Sequence, residues 1–494
     1  MRAVVVGGGL AGITAALALA GQGAEVTLLE AKPRLGGATM SFDRDGLTVD
    51  TGQHVFLRCC THYRGLLDRL GIAGRAPLQA RFDVTVLSPA DGSGRPPSRL
   101  RRNRLPAPLH LLPTLLSYRQ LSLAERARVG QAALALRGVD PDDPATDQVR
   151  FGDWLARHGQ DERTRRVLWD LFSVASINVP GDDASLAIAA KVVRTGLLGD
   201  AGAADIGVPA LPLGELHGDA ATRKLAELGA TVRLGTKVAA IEPGGAGEGA
   251  AGDGARFTIR LGRGRDEDIA ADAVVLAVPH EAAARLIPPG ALPAPVVAGW
   301  AGLGYAPIVN VHVIYDREVM EVPLAAGVDS PVQWVFDRTA ISGLSRRDPT
   351  AQYLAISLSA ADDYVDRSVA SLREEFVPAL AALLPAARAA TVTEFFVTRE
   401  RHATFRGVAG TARLRPAAAT GLPGLVLAGS WTATGWPDTM EGAVRSGLSA
   451  VVALRTGMRV TAAGATGTVE TVTEVYEVDN STVSTADEAR GVRP

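Results

Sequence analysis

Cysteine is nearly absent from this chain of 494 residues: there are two, adjacent at Cys59 and Cys60. Two thiols cannot build a disulfide framework, so a reducing compartment is the expectation. They do not make a metal site either. Neighbouring side chains point to opposite sides of a strand and diverge on a helix, whereas zinc takes spaced pairs, so no metal is expected. Net charge is lacking too, with 51 basic against 53 acidic residues. That balance gives no global pull toward nucleic acid, and none is expected as a partner. Aromatic residues make up only 5%. The length exceeds what one core organises, so two connected domains are expected.

An uncharged run from residue 3 to 24 follows Arg2 and superficially has the form of a secretory leader. Its glycines argue otherwise, because the apolar core of a leader has no use for Gly7, Gly8, Gly9 and Gly12, and the chain runs directly into another strand, "EVTLLE". They suit a nucleotide-binding turn. "RAVVVGGGLAGITAALALAGQGAEVTLLE" reads as buried strand, glycine turn, helix and second strand. Gly7 permits the tight turn, Gly9 lets a pyrophosphate approach the backbone, and Gly12 lets helix and strand pack closely. Leu10 and Ala11 open the helix, whose N-terminal N–H groups then face the phosphates. Glu30, followed by Ala31, is placed to accept the adenosine ribose hydroxyls. An acid there disfavours a 2′-phosphate, which leaves FAD or NAD.

The next residues, "EAKPRLGGATMSF", put Arg34 and the pair Gly36-Gly37 just after the ribose acid. Here the sequence resembles the flavin amine oxidase and phytoene desaturase superfamily, in which acid-x-x-x-Arg-x-Gly-Gly continues the first motif. The resemblance implies that the glycines pass the pyrophosphate and ribityl part of FAD. A third stretch, "GLPGLVLAGSWTATGWPDTMEGAVRSGLSAVVAL", reads as a strand at Leu425 to Ala428, turns at Gly429-Ser430 and Trp436-Pro437, and a helix beginning near Met440. By resemblance this segment lies along the flavin, with Gly429 and Ser430 at the ribityl phosphate and Met440 and Glu441 near the ring edge that carries charge when reduced. The family commonly has an acid where this chain has Ser430. Val238, in "GATVRLGTKVAAIEP", stands where the family meets the adenine through backbone. "GGAGEGAAGDGA" reads as a glycine-rich hairpin tip.

The middle of the chain narrows the resemblance. "LWDLF", "ASINVP", "ASLAIAAKV" and "DIGVPALPLGELHG" are similar to the hydroxysqualene dehydroxylase family, the squalene-associated FAD-dependent group, and the likeness extends to about residue 455. It implies an α/β fold: a Rossmann-type FAD-binding domain built from the discontinuous segments 1–80, 205–285 and 420–457, with an interleaved α+β substrate domain from 81–204 and 286–419. Residues 458–494, with one aromatic, read as a disordered tail. The implied reaction is reductive removal of an allylic hydroxyl to give squalene, with FAD held non-covalently. Candidate acids for the departing hydroxyl are Asp50, His54, Asp205 and Glu441. Carotenoid-type desaturation is the main alternative. An amine oxidase ranks lower, since no cysteine after Cys60 could tether flavin and only Trp431 and Trp436 could form an aromatic cage; a non-catalytic FAD scaffold ranks lower still. No second dinucleotide fingerprint is present, so an external electron donor is expected.

Between Gly92 and Ala124 there is no acidic residue, while Arg95, Arg99, Arg101, Arg102, Arg104 and Arg119 are present beside "LPAPLHLLPTLLSYRQLSL". Arginines leading into Leu-rich, Pro-interrupted sequence fit an interfacial segment over residues 95–123, too short in its apolar runs to span. The competing reading makes the leucines core and the arginines a solvated rim. A polyisoprenoid lipid is the expected substrate, and the expected location is the cytoplasm or, peripherally, the inner face of the cell membrane. After the cysteines, "HYRGLLDRLGI" has the spacing of an amphipathic helix, with Tyr63, Leu66, Leu67 and Leu70 on one face. The thiols then read as small packing residues at a bend.

Overall fold

The apolar run Arg2–Val6 is buried on both faces and becomes the central strand of a five-stranded parallel sheet. Continuous burial, without polar alternation, is what a parallel strand covered on both sides requires. In this computed structural model, which describes residues 1–89, 97–244, 255–262 and 267–462, the strand order is Leu425–Leu427, Ala273–Leu276, Arg2–Val6, Glu25–Leu29, Thr231–Arg233. Register brings four strand ends level, Val6 pairing with both Leu29 and Leu276, and Leu276 with Leu427. Gly7, Glu30, Ala277 and Ala428 therefore leave the sheet along one carboxyl edge, where open α/β sheets bind their ligands.

A seven-stranded mixed sheet draws on other parts of the chain: Val392–Thr404, Ala306–Tyr315, Gln352–Leu358, Trp334–Asp337, Leu324–Gly327, Asp83–Leu87 and Ser98–Arg101. The parallel sheet thus uses only segments expected to hold cofactor, and the mixed sheet only segments expected to face substrate. A three-stranded antiparallel sheet, Val238–Pro243, Phe257–Leu261 and Ile269–Ala271, stands beside the parallel one. Helices from the middle of the chain cover the mixed sheet, and three of their turns are wound as π-helix, at Arg165–Trp169, Arg194–Gly199 and Gly214–Asp219.

Helix Leu10–Ala20 is wholly buried and crosses the C-terminal helix Met440–Ala462. At the crossing a Cβ on Gly447 would collide with the Ala11 carbonyl oxygen, so the two backbones touch through glycine. The C-terminal helix, anchored in the core by Val444, Ala450, Val451 and Leu454, continues to Ala462, past the boundary at 457 read from sequence. Arg95, the hairpin tip at 245–254 and the tail beyond 462 lie outside the described residues.

The helix expected after the cysteines spans Thr61–Arg69, and Tyr63, Leu66, Leu67 and the following Leu70 are buried. Cys59 and Cys60 are free thiols, half-buried at the bend that precedes it.

Candidate functional site

Three glycine turns meet at the carboxyl edge of the parallel sheet. Gly7 has φ of +108°, and a Cβ on it would strike the Ala277 carbonyl. A Cβ on Gly12 would strike the Gly7 carbonyl in the same way, so the first and third glycines of the motif are required by the protein's own packing. The middle one is different. Around Gly9 the nearest heavy atom to an added Cβ is the Gly37 Cα at 3.9 Å, while a Cβ on Gly37, at φ of +61°, would lie 2.9 Å from the Gly9 Cα. Two bare backbones face each other there, and the second motif is bonded to the first by the Gly36 N–H donating to the Gly8 carbonyl at 2.8 Å.

Glu30 closes this cradle. Its carboxylate accepts from the Gly8 N–H at 2.6 Å and the Lys32 N–H at 2.8 Å, and the Thr236 N–H donates to its carbonyl at 2.8 Å. Val238, buried at the start of its strand, stands two residues beyond Thr236, the residue bonded to Glu30. Helix Leu10–Ala20 has no side chain capping its N-terminus, so its first N–H groups are available to an anion. Arg34 has a buried Nε without a partner among the described residues. An uncapped helix, a glycine cradle, a carboxylate and an orphaned guanidinium nitrogen together fit the pyrophosphate and ribose of a dinucleotide.

The C-terminal turn reaches the same edge. Gly429, at φ of +138°, donates its N–H to Ser446 Oγ at 2.8 Å, and Trp431 Nε1 donates to the Val278 carbonyl at 2.9 Å. A residue that the sequence reading missed organises this loop. Arg415 is buried beneath it and donates to the carbonyls of Ser430 at 2.9 Å and Thr432 at 2.6 Å and to Thr434 Oγ1 at 3.0 Å. Its guanidinium also lies 4.8 Å from the Phe405 ring centroid. Burial lowers its pKa to about 10, yet it remains charged at neutral pH. Asp438 was missed as well. Burial raises its carboxyl above the usual range, opposed by hydrogen bonds from Ser430 and the Phe405 N–H and by the charge of Arg415. Ser430, the departure from the family pattern, is thus in contact with an acid eight positions on.

Of the four candidate acids, three are occupied by protein. Asp50 accepts from the Arg338 guanidinium, from Ser41 Oγ at 2.5 Å and from the Leu213 N–H at 3.0 Å. Asp205 is fully buried; burial pushes its pKa up, but Arg102, the Phe82 N–H and Arg58 together outweigh that and hold it below the ordinary value. Glu441 likewise ends below its ordinary value, because His62, the Tyr63 N–H and Arg445 outweigh its burial. Helix Thr61–Arg69 has no cap of its own. The Glu441 carboxylate serves as one, accepting from the Tyr63 N–H at 2.7 Å and the His62 N–H at 3.3 Å. Met440 beside it is buried at the first helical position.

His54 differs from these. Its pKa is lowered by burial, with Arg338 adding to the effect and Asp50 opposing it, and no hydrogen bond to its ring from another described residue is evident. Its Nε2 sits where a Cβ on Gly52 would be 2.9 Å away. The segment is tied to the second glycine motif, since Thr51 donates its N–H to the Met40 carbonyl at 3.0 Å and its hydroxyl to the Ala38 carbonyl at 3.0 Å. Nearby, Tyr63 Oη and His217 Nε2 are 2.8 Å apart. Gln53 Oε1, Asn310 Oδ1 and His217 Nδ1 are buried without partners among the described residues. Trp431 packs on Trp300 and Trp436 lies under Arg445, and no ring contact joins the two tryptophans among the described residues.

The family model described as flavin containing amine oxidoreductase matches residues 10–455. A hydroxysqualene dehydroxylase of Rhodopseudomonas palustris is 29% identical over 452 residues, covering 90% of this chain and 96% of its own. A 15-cis-phytoene desaturase of Narcissus pseudonarcissus is 25% identical, covering 90% and 78%. Among solved structures, a putrescine oxidase bound to putrescine superposes with a TM-score of 0.66 at 19% identity, over 94% of this chain and 99% of that one.

Proposed function

The chain belongs to the flavin containing amine oxidoreductase family, and we propose that within it the protein is an FAD-dependent dehydroxylase that reductively removes an allylic hydroxyl from hydroxysqualene. The observation that carries this reading is the match to a hydroxysqualene dehydroxylase over nearly the full length of both chains. The residues "DIGVPALPLGELHG" support the same reading through two contacts. Leu213 N–H binds Asp50, and His217 meets Tyr63.

Bound FAD, when reduced, supplies hydride to the allylic carbon. Gly9, Gly37, Arg34 and the N-terminus of helix Leu10–Ala20 would hold its pyrophosphate, and Glu30 its ribose. The loop pinned by Arg415 would hold the ribityl side. The remaining task is to bring a proton to the departing hydroxyl, so that hydride and proton, the two equivalents a reduced flavin would carry, release it as water. Three of the candidate carboxylates are committed to arginines and backbone N–H groups, which leaves His54 as the residue able to turn an N–H toward a substrate oxygen. A neutral imidazole donates one hydrogen bond without placing a full charge in an oily site. His217 is pushed down to about 3 by burial, so it too stays neutral and serves to fix Tyr63.

Anaerobic incubation of the reduced, FAD-loaded protein with hydroxysqualene tests the proposal, with products identified by mass. Squalene formation coupled to flavin reoxidation is expected. Reduction of the oxidised flavin by phytoene, with no reaction of hydroxysqualene, would instead establish carotenoid-type desaturation, the second reading that a 25% identical phytoene desaturase keeps in view.

A further inference from the structure

The Leu-rich segment after the arginines divides into two faces. Leu111 and Leu115 pack against the core and Leu121 is buried. Leu105, Leu109, Leu112, Leu116 and Leu123 do the opposite, standing 45, 50, 43, 55 and 75% exposed. The spacing explains the split. In the short helical stretch Leu109–Ser117, positions 109, 112 and 116 follow the i, i+3, i+7 rule and share one stripe, while 111 and 115 fall on the other. Pro106 and Pro113 are exposed on the same segment. Scattered apolar residues on a surface need no explanation. Here five exposed leucines occur within nineteen residues, and Leu134, on the helix Leu123–Arg137, extends the stripe at 60% exposure.

The rim of this ridge is cationic. Arg99 and Arg101 share a single aspartate, Asp83, at 2.5 and 3.1 Å. Arg58 and Arg102 likewise share Asp205. The Asp83 cluster retains one positive charge, Arg104 is exposed on the same segment, and the sequence has no acid between Gly92 and Ala124. The segment is held firmly underneath. Tyr118 Oη donates to the Val167 carbonyl at 2.6 Å, Thr114 Oγ1 donates to the Arg99 carbonyl at 2.8 Å, and the Arg126 guanidinium donates to the Leu116 carbonyl. The leucines are therefore presented by a fixed support.

We propose that the ridge Leu105–Leu123 is a docking surface for an anionic phospholipid membrane, its leucines entering the acyl boundary and its arginines meeting lipid phosphates. Charge selects this occupant over a second copy of the chain, since two such faces would set arginine rim against arginine rim. No helix among the described residues is long and apolar enough to cross a membrane, so the contact is interfacial. The Tyr118–Val167 bond places the ridge against the turn that carries "LWDLF". A membrane-dissolved substrate would reach the protein on its substrate side. The inference does not depend on which polyisoprenoid is turned over.

Co-sedimentation of the FAD-loaded protein with phosphatidylcholine vesicles, with and without phosphatidylglycerol, tests it without any substrate. Binding to the phosphatidylglycerol vesicles is expected, weakened at least tenfold by the combined Leu109→Ser, Leu112→Ser and Leu116→Ser substitutions and weakened by added salt. Arg104→Glu should reduce binding with the leucines intact. Flavin content and melting temperature, measured on each variant, should be those of the parent because these side chains are exposed. Failure of the parent to bind either vesicle would overturn the proposal, as would equal binding by the triple variant. A concentration-dependent dimer that the triple substitution dissolves, without vesicle binding, would overturn it in favour of a second copy.

Discussion

An imidazole whose pKa is lowered stays neutral at neutral pH, and for His54 burial, with Arg338 adding to it, outweighs the opposing charge of Asp50. The role proposed for it is to donate or accept a hydrogen bond. Replacing it with glutamine keeps an N–H of similar reach but removes the ring. His54→Gln is expected to slow flavin reoxidation by hydroxysqualene at least tenfold, a barrier increase of about 1.4 kcal/mol, with FAD still bound. Rapid-mixing absorbance of the flavin checks both parts, and an unchanged rate would dismiss His54. Glu441 gives the complementary case. Its carboxylate caps a helix start, so Glu441→Gln is expected to lower stability by about 1 kcal/mol while the holoprotein keeps its turnover. A large loss of turnover at unchanged melting temperature would return Glu441 to the list of acids.

At the scale of elements, two helices meet where the cofactor is expected. Helix Leu10–Ala20 presents its N-terminus to the glycine cradle, and its angle is set by contact with Met440–Ala462 through Gly447. Adding one methyl group there drives the helices apart, and overpacking of this kind costs about 1–3 kcal/mol. Gly447→Ala is accordingly expected to lower the melting temperature and to weaken FAD binding severalfold, read by the recovery of flavin fluorescence on dilution. Tight FAD in a destabilised variant would separate the crossing from the cradle. The loop Ser430–Thr434 is a second such element: a single buried arginine, Arg415, supplies donors to four of its residues. Nothing local in "AGSWTATGWPD" announces that dependence, because the partner lies in a different segment.

For the whole molecule, the buried imidazoles set the response to acid. His217 and His312 are both pushed down to about 3 by burial, whereas in an unfolded chain they titrate near 6.5. Their folded pKa values are lowered, so the unfolded state binds more protons below about 6.5. Stability is complete above that pH and lost as the pH falls toward 3. Each contributes about 1.4 kcal/mol per pH unit in that window, about 3 kcal/mol for the two. Urea denaturation at pH 6 and pH 5 should show a marked fall in midpoint, and His312→Gln should make the fall shallower. An identical pH dependence in that variant would show that His312 is not one of the groups responsible.

Much of this was readable along the chain, for reasons that differ by segment. The turn Gly7-x-Gly9-x-x-Gly12, the acid Glu30, the pair Gly36-Gly37 and the helix after Cys60 are local patterns, in which φ, helix periodicity and close backbone approach restrict the residue type position by position. The surface leucines were only half readable. The sequence offered them as lipid-facing or as core, and the structure divides them between the two, because the choice belonged to the core beneath Leu111 and Leu115. The acids were least readable, since an aspartate has the same sequence signature whether it is opposite two arginines, as Asp205 is, or near a substrate. Sequence by itself determined the dinucleotide-binding βαβ frame, because that rests on short-range backbone geometry, while FAD rather than NAD followed from the family resemblance. Only the tertiary structure decided what Asp50, Asp205 and Glu441 are bonded to, which arginine holds the loop Ser430–Thr434 and how the leucines face, because a charge or an exposed side chain takes its meaning from groups that lie distant in the chain and adjacent in space.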